Sequence, residues 1–158
     1  MDSKRLVKVL KKVGTAADRN GLTAYAVGGY VRDRVMGRDT KDIDIVVLET
    51  EGGIRLAQVL RKDYGFGRPV LFPRFQTAQT RYQGVAVELV AARKEAYRKG
   101  SRKPARVGLA TLKEDIARRD FTVNSLVMGL NKNNFGKISD YTRRGRTDIG
   151  KKVIRCIG

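Results

Sequence analysis

The chain contains no histidine and no tryptophan, one cysteine and three prolines in 158 residues. Without histidine there are no imidazole bases, Ser-His triads or His-ligated metals. Any catalysis must draw on carboxylates, Arg, Lys, hydroxyls and a metal. The lone Cys156 excludes a disulfide within the chain and any zinc site built on cysteines. Acidic residues are scarce: 16 Asp and Glu stand against 34 Lys and Arg, a formal charge of +18. Such an excess favours polyanion partners: RNA, DNA or an anionic membrane surface. Long apolar runs are also missing. None reaches the ~20 residues that span a bilayer. The start, Met1-Asp2-Ser3-Lys4-Arg5-Leu6, shows no apolar stretch of secretory kind. The expected location is cytoplasmic, with no membrane partner.

What is present fits one domain with a modest core, at 41% hydrophobic residues. Leu6, Val9, Leu10, Val13 and Ala17 recur at helical spacing and predict an amphipathic helix over 4–19, ended by Asn20-Gly21. Short strands are expected at 23–27, 42–48 and 70–72, and a hairpin at 77–82 and 85–91 around Gln83-Gly84. Helices are expected at 31–36, at 54–64, and at 111–116 with Thr111 as its cap and Glu114 three residues on. Residues 93–106, rich in Arg and Lys, read as a loop. The stretch 123–130 is helix or strand, and 138–141 and 153–157 read as terminal strands. The mixture is α+β, or mixed α/β.

Chemistry concentrates in four places. Asp42 and Asp44 open the apolar run that ends at Leu48. In a strand, residues two apart share a face. The two carboxylates therefore project together, away from Ile43 and Ile45. Close carboxylates repel, and a hard cation such as Mg²⁺ relieves the repulsion through oxygen ligands. Gly28-Gly29 follows a strand and opens a helix, where free amides attract phosphate. Arg32, one turn on, suits a triphosphate. Taken alone, the glycine pair also fits an ordinary tight turn, and Arg32 with Asp33 fits a surface ion pair. Glu88 sits in an apolar strand, either as a third acidic group near the metal or as an edge residue facing water. Arg118-Arg119-Asp120-Phe121-Thr122-Val123-Asn124 offers groups for ribose and phosphate oxygens. A junction with Asp120 as a cap is the alternative.

In this order the pieces resemble the class II nucleotidyltransferases, which include tRNA CCA-adding enzymes and bacterial poly(A) polymerases. The matching residues are Gly28-Gly29-Tyr30-Val31-Arg32-Asp33, Gly37-Arg38, Asp42-Ile43-Asp44, Glu88 before Arg93, and Arg118 to Asn124. Asp140-Tyr141, Asp148-Ile149 and Val153-Ile154-Arg155 form a weaker tail. The resemblance implies a head domain over 1–158, with a mixed sheet of about five strands flanked by helices. It implies that Asp42 and Asp44 hold two Mg²⁺ ions, with Glu88 as a third acidic group. Gly28, Gly29 and Arg32 would hold the triphosphate of ATP or CTP. Arg119, Asp120 and Asn124 would contact the ribose or orient the site. The implied reaction moves a nucleotide monophosphate from NTP to an RNA 3′ end, that of tRNA in the family's usual case, by two-metal phosphoryl transfer. The family's helical neck, body and tail, and the neck's base-selecting Glu-Asp-x-x-Arg motif, find no match. That leaves a stand-alone enzyme, a piece of a longer chain or one completed by a second chain. Two alternatives remain: a non-catalytic RNA-binding form of the fold, and a transferase acting on another acceptor. The basic stretches 98–106 and 143–155 are candidate RNA contacts.

Overall fold

The computed structural model describes residues 3–92, 108–117 and 119–157. The first helix, α1 (Ser3–Arg19), buries Leu6, Val9, Leu10, Val13, Ala16 and Ala17 along one stripe. Its lysines fall on the opposite side, as spacing of three and four residues requires. Strand β1 (Ala24–Val27) follows, then α2 (Gly29–Met36), β2 (Asp42–Val47) and α3 (Gly52–Tyr64). β3 (Val70–Phe72), a 3₁₀ turn at Pro73–Phe75, β4 (Thr77–Tyr82) and β5 (Val85–Ala91) complete the middle of the chain. The C-terminal part holds α4 (Gly108–Ala117), a 3₁₀ turn at Thr122–Asn124, β6 (Leu126–Gly129), β7 (Ile138–Asp140) and α5 (Gly145–Lys151).

The strands form one mixed sheet in the order β3-β4-β5-β2-β1-β6-β7. Only β2 and β5 run parallel; every other pair is antiparallel. The α/β character expected from the sequence holds. The sheet has seven strands rather than about five, because β3 and β7 extend it as three-residue edges.

The two faces are unequal. Ile43, Ile45 and Val47 of β2, with Val85, Val87 and Leu89 of β5, point into the main core beneath α1 and α3. Gly14 lets α1 come close to the sheet. A Cβ there would lie 2.0 Å from the Leu130 carbonyl oxygen. On the other face a smaller cluster joins Val27, Val46, Ala92 and Val127 to Leu112 and Ile116 of α4. This second core covers the end of β2 that holds Val46 and leaves the end that begins at Asp42 open. Asn131 ties the layers together: its Oδ1 accepts the Ala24 N–H at 2.9 Å, and its Nδ2 donates to Asp18 and Leu22.

Several expectations are corrected. Thr111 is not a cap, because α4 begins at Gly108. Residues 123–130 divide between the end of a 3₁₀ turn and β6. Residues 153–157 make no strand, only an isolated bridge from Cys156 to Phe121. α5 was not expected at all. The expectation of a basic loop over 93–106, and with it Arg93, falls outside the described residues, as does Arg118. Among the described residues no helix is long and apolar enough to cross a membrane.

Candidate active site

The open end of β2 sets the site. Its burial alternates so that Asp42 and Asp44 are exposed while Ile43 and Ile45 are buried. The period of two therefore places both carboxylates on the face that α4 leaves uncovered. Parallel pairing sets Asp44 opposite Glu88 of β5, and antiparallel pairing sets it opposite Val27 of β1. Glu88 thus belongs to an interior strand and is half-buried; it is not an edge residue facing water. The Gln79 side chain donates to it at 3.1 Å from β4. Asp42, Asp44 and Glu88 line a cleft of about 480 Å³ with Gln79, Arg68 and Arg81.

The glycine pair comes to the same place. Val27 is the register partner of Asp44, so the residue that follows it turns beside the carboxylate. Gly28 adopts φ 67° and ψ −136°, a combination that a Cβ disfavours strongly. A Cβ there would sit 3.4 Å from Arg119 Nη1 and 3.8 Å from Asp44 Oδ2. Gly28, Asp44 and Arg119 therefore meet at the start of α2, where the helix's first amides point outward.

Arg32 stands one turn into α2. Its Nε donates to Asp33 at 2.9 Å and its Nη1 to Asn124 Oδ1 at 2.8 Å. Asn124 in turn donates to Asp120 at 3.2 Å, and Asp120 also accepts the Phe121 N–H at 2.7 Å. The segment 120–124 therefore holds the Arg32 guanidinium from one side. Asp120 is not the cap of the 3₁₀ turn, whose N-terminal flank is Phe121 with no side-chain cap; it accepts the Phe121 amide and the Asn124 side chain, and reaches Arg32 only through Asn124.

Electrostatics separate the carboxylates. Asp44 is pushed above the ordinary Asp range, first by desolvation and then by Glu88 and Asp42, with Arg119 opposing. Asp120 is held below that range, chiefly by the Asn124 side chain and the Phe121 amide. Crowded negative charge at Asp44 is the condition that a divalent cation relieves. Among the described residues no set of three or more His, Cys, Asp or Glu side chains forms a metal site. Mg²⁺ asks for less: one or two protein carboxylates, with waters and substrate phosphates completing its shell. Asp42 and Asp44 fit that requirement.

Asp148, which the sequence shows only as part of the weaker tail match, turns out to be a buried anchor. It is 1% exposed on α5, accepts Thr122 Oγ1 at 2.6 Å and pairs with Arg155 Nε at 3.1 Å. The Thr122 hydroxyl, ahead of Arg155, holds it below the ordinary Asp range. It anchors the 3₁₀ turn that carries Asn124. Its sequence signals were the Asp148-Ile149 tail match and an acidic residue inside a strongly basic tail.

A mixed sheet with Asp-x-Asp on its open face, beside a glycine bend that starts a helix, defines the head of a class II nucleotidyltransferase. Residues 24–155 match the poly A polymerase head domain, and the chain belongs to that family. The A-adding tRNA nucleotidyltransferase of Aquifex aeolicus is 40% identical over 138 residues, covering 86% of this chain and 16% of that protein. Its counterpart from Geobacter sulfurreducens is 37% identical over 153 residues, covering 96% and 17%. Among solved structures, a CCA-adding enzyme in complex with CTP gives a TM-score of 0.84 at 31% identity, over 100% of this chain and 35% of its own. A tRNA nucleotidyltransferase with a primer tRNA and an incoming ATP analog gives 0.76 at 36% identity, over 92% and 39%. The chain thus spans about a sixth of the two tRNA nucleotidyltransferases.

Proposed function

We propose that this chain is the catalytic head of an RNA nucleotidyltransferase, moving a nucleotide monophosphate from ATP or CTP to the 3′ end of an RNA, with tRNA as the acceptor. The observation that carries the reading is the convergence of Asp44, Gly28 and Arg119, with Asp42 on the same face. The names of the similar proteins support the choice of tRNA and of ATP and CTP.

The residues divide the work. The amides at Gly28 and Gly29 and the Arg32 guanidinium bind the triphosphate. Arg119, next to Asp44, faces the ribose and phosphate oxygens. Asn124 and Asp120 orient Arg32. Asp42 and Asp44 hold Mg²⁺, and Glu88 adds negative charge beside them. When bound, Mg²⁺ lowers the pKa of an acceptor hydroxyl and neutralises charge on the leaving pyrophosphate. The balance is a simple displacement. The 3′-hydroxyl gives its proton to solvent as its oxygen bonds to the α-phosphorus, the bond from the α-phosphorus to the α–β bridging oxygen breaks, and pyrophosphate leaves with that oxygen.

Residues 1–158 act as one head unit in this reading, and helical segments that select the base complete it from the same or a second chain. A cytoplasmic site of action agrees with a tRNA substrate. The test is incorporation of labelled ATP and CTP, each supplied separately, into tRNA lacking its terminal CCA. Asp42→Ala and Asp44→Ala should abolish incorporation while the protein keeps its circular dichroism spectrum. Wild-type protein that stays folded and transfers nothing, with Mg²⁺ or Mn²⁺ and any NTP, would overturn the reading.

A further inference from the structure

We propose that the exposed apolar edge formed by β3 and the turn after it is a stacking platform for the single-stranded 3′ end of the acceptor RNA. The inference rests on the transferase reading of the Asp42 and Asp44 cleft.

Most of the large apolar side chains left exposed among the described residues lie in one stretch. Val70 is 57% exposed, Leu71 36%, Phe72 38% and Phe75 64%. An apolar outer strand with an unpaired backbone edge is a liability unless something covers it. Register decides which way it faces. Val70 pairs with Gln79, Gln79 with Glu88, and Glu88 with Asp44. These four residues form a single row across one face of the sheet. Val70 and Phe72, two residues apart, therefore share the face that carries the carboxylates. At one strand spacing per step, Val70 stands about 14 Å from Asp44. Arg81 lies in the neighbouring row with Ala86 and Asp42, about 10 Å from Asp42. Arg68, Val70 and Arg81 line the same cleft as the carboxylates.

Charge selects the occupant. From Tyr64 to Val87 the sequence has no acidic residue, while Arg68, Arg74 and Arg81 all fall within it. Exposed aromatic rings interleaved with cations suit unpaired bases on a phosphate backbone. A second copy of this chain, with its own charge of +18, is repelled from the same edge. The acceptor end stacks on Phe72 and Phe75, its phosphates pass Arg74 and Arg81, and its terminal hydroxyl reaches Asp42 and Asp44.

The probe is a fluorescent single-stranded oligoribonucleotide ending in CC, followed by anisotropy without Mg²⁺, alongside tRNA incorporation kinetics. Phe75→Ala should weaken oligonucleotide binding about tenfold, the loss expected for one stacked base, and raise KM for tRNA without moving KM for nucleotide. Phe75→Tyr should restore binding, and Phe75→Leu should not, because a leucine has no ring face. Phe75 is mostly exposed, so its replacement leaves the core intact. Val35→Ala, at an exposed apolar position on α2, should change nothing. Unchanged RNA binding in Phe75→Ala and Arg74→Ala would overturn the platform. So would equal rescue by leucine, or a wild-type dimer that Phe75→Ala dissociates. A protein that binds RNA through Phe75 but transfers no nucleotide would sink the transferase reading and leave the platform standing.

Discussion

Asn124→Ala separates a residue that touches nucleotide from one that positions another residue. Asn124 Oδ1 accepts Arg32 Nη1 at 2.8 Å, and Asp33 accepts Arg32 Nε at 2.9 Å. Alanine removes one of these two restraints and leaves the other. A hydrogen bond to a charged group contributes about 1.5–3 kcal/mol. The Arg32 side chain is 34% exposed, so water replaces part of the loss and the lower figure applies. Around 1.4 kcal/mol corresponds to tenfold in affinity. KM for ATP or CTP should therefore rise about tenfold, while kcat changes little. Asn124→Asp should fall between, since it keeps an acceptor for Arg32 but sets a second carboxylate against Asp120. The decisive assay is a double-mutant cycle with Arg32→Ala, reading nucleotide binding by calorimetry. If Asn124 acts through Arg32, then Asn124→Ala costs nothing further once Arg32 is gone. Additive losses would refute this account and put Asn124 on the nucleotide itself.

Other expectations follow from the same geometry. Asp44 has a raised pKa, so the folded state holds that proton more readily than the unfolded chain. Its charge therefore subtracts stability as pH rises through its titration range, and the loss remains at neutral pH. Asp44→Asn should raise Tm in EDTA and abolish the Mg²⁺-dependent rise in Tm expected of wild type; an unchanged Mg²⁺ response would contradict the assignment. Asp148 and Asp120 are shifted the other way. The stability they supply is complete above the usual Asp range and disappears as pH falls through their lowered folded values. Asp148→Asn should flatten the acid limb of urea midpoints measured from pH 5 to pH 2. Gly14→Ala would drive a methyl group against the Leu130 carbonyl and should cost about 1–3 kcal/mol in urea unfolding.

The sequence was informative wherever one period dominated. The stripe of α1 and the alternation of β2 and β5 follow from apolar spacing alone, and the same alternation places Asp42 with Asp44. The glycine bend and Arg32 were visible as residues. Their meeting with Arg119 was implied only by the family resemblance, because nothing local records that the Val27–Asp44 pairing and the segment after α4 converge. α5 escaped because Gly145-Arg146-Thr147-Asp148-Ile149-Gly150-Lys151 has no apolar face of its own. Its start is instead held by Asp140, whose carboxylate accepts the Gly145 and Arg146 amides. Residues 153–157 look like a strand by composition. Arg155 is drawn to the buried Asp148 and Ile154 is left 68% exposed, so no ladder forms there. Glu88 was ambiguous for a related reason: whether a strand is central or peripheral depends on partners far along the chain.

The division of β2 into a wet side and a dry side makes its length unforgiving. Deleting one residue between Asp42 and Ile45 would swap the two sides for everything on one flank of the cut, driving a carboxylate beneath α1 and α3 or an isoleucine out into the cleft. The connection from Gly37 to Lys41 lies outside that alternation and has room to gain or lose residues. Tolerance to insertions should therefore change abruptly at Asp42, within a single step along the chain.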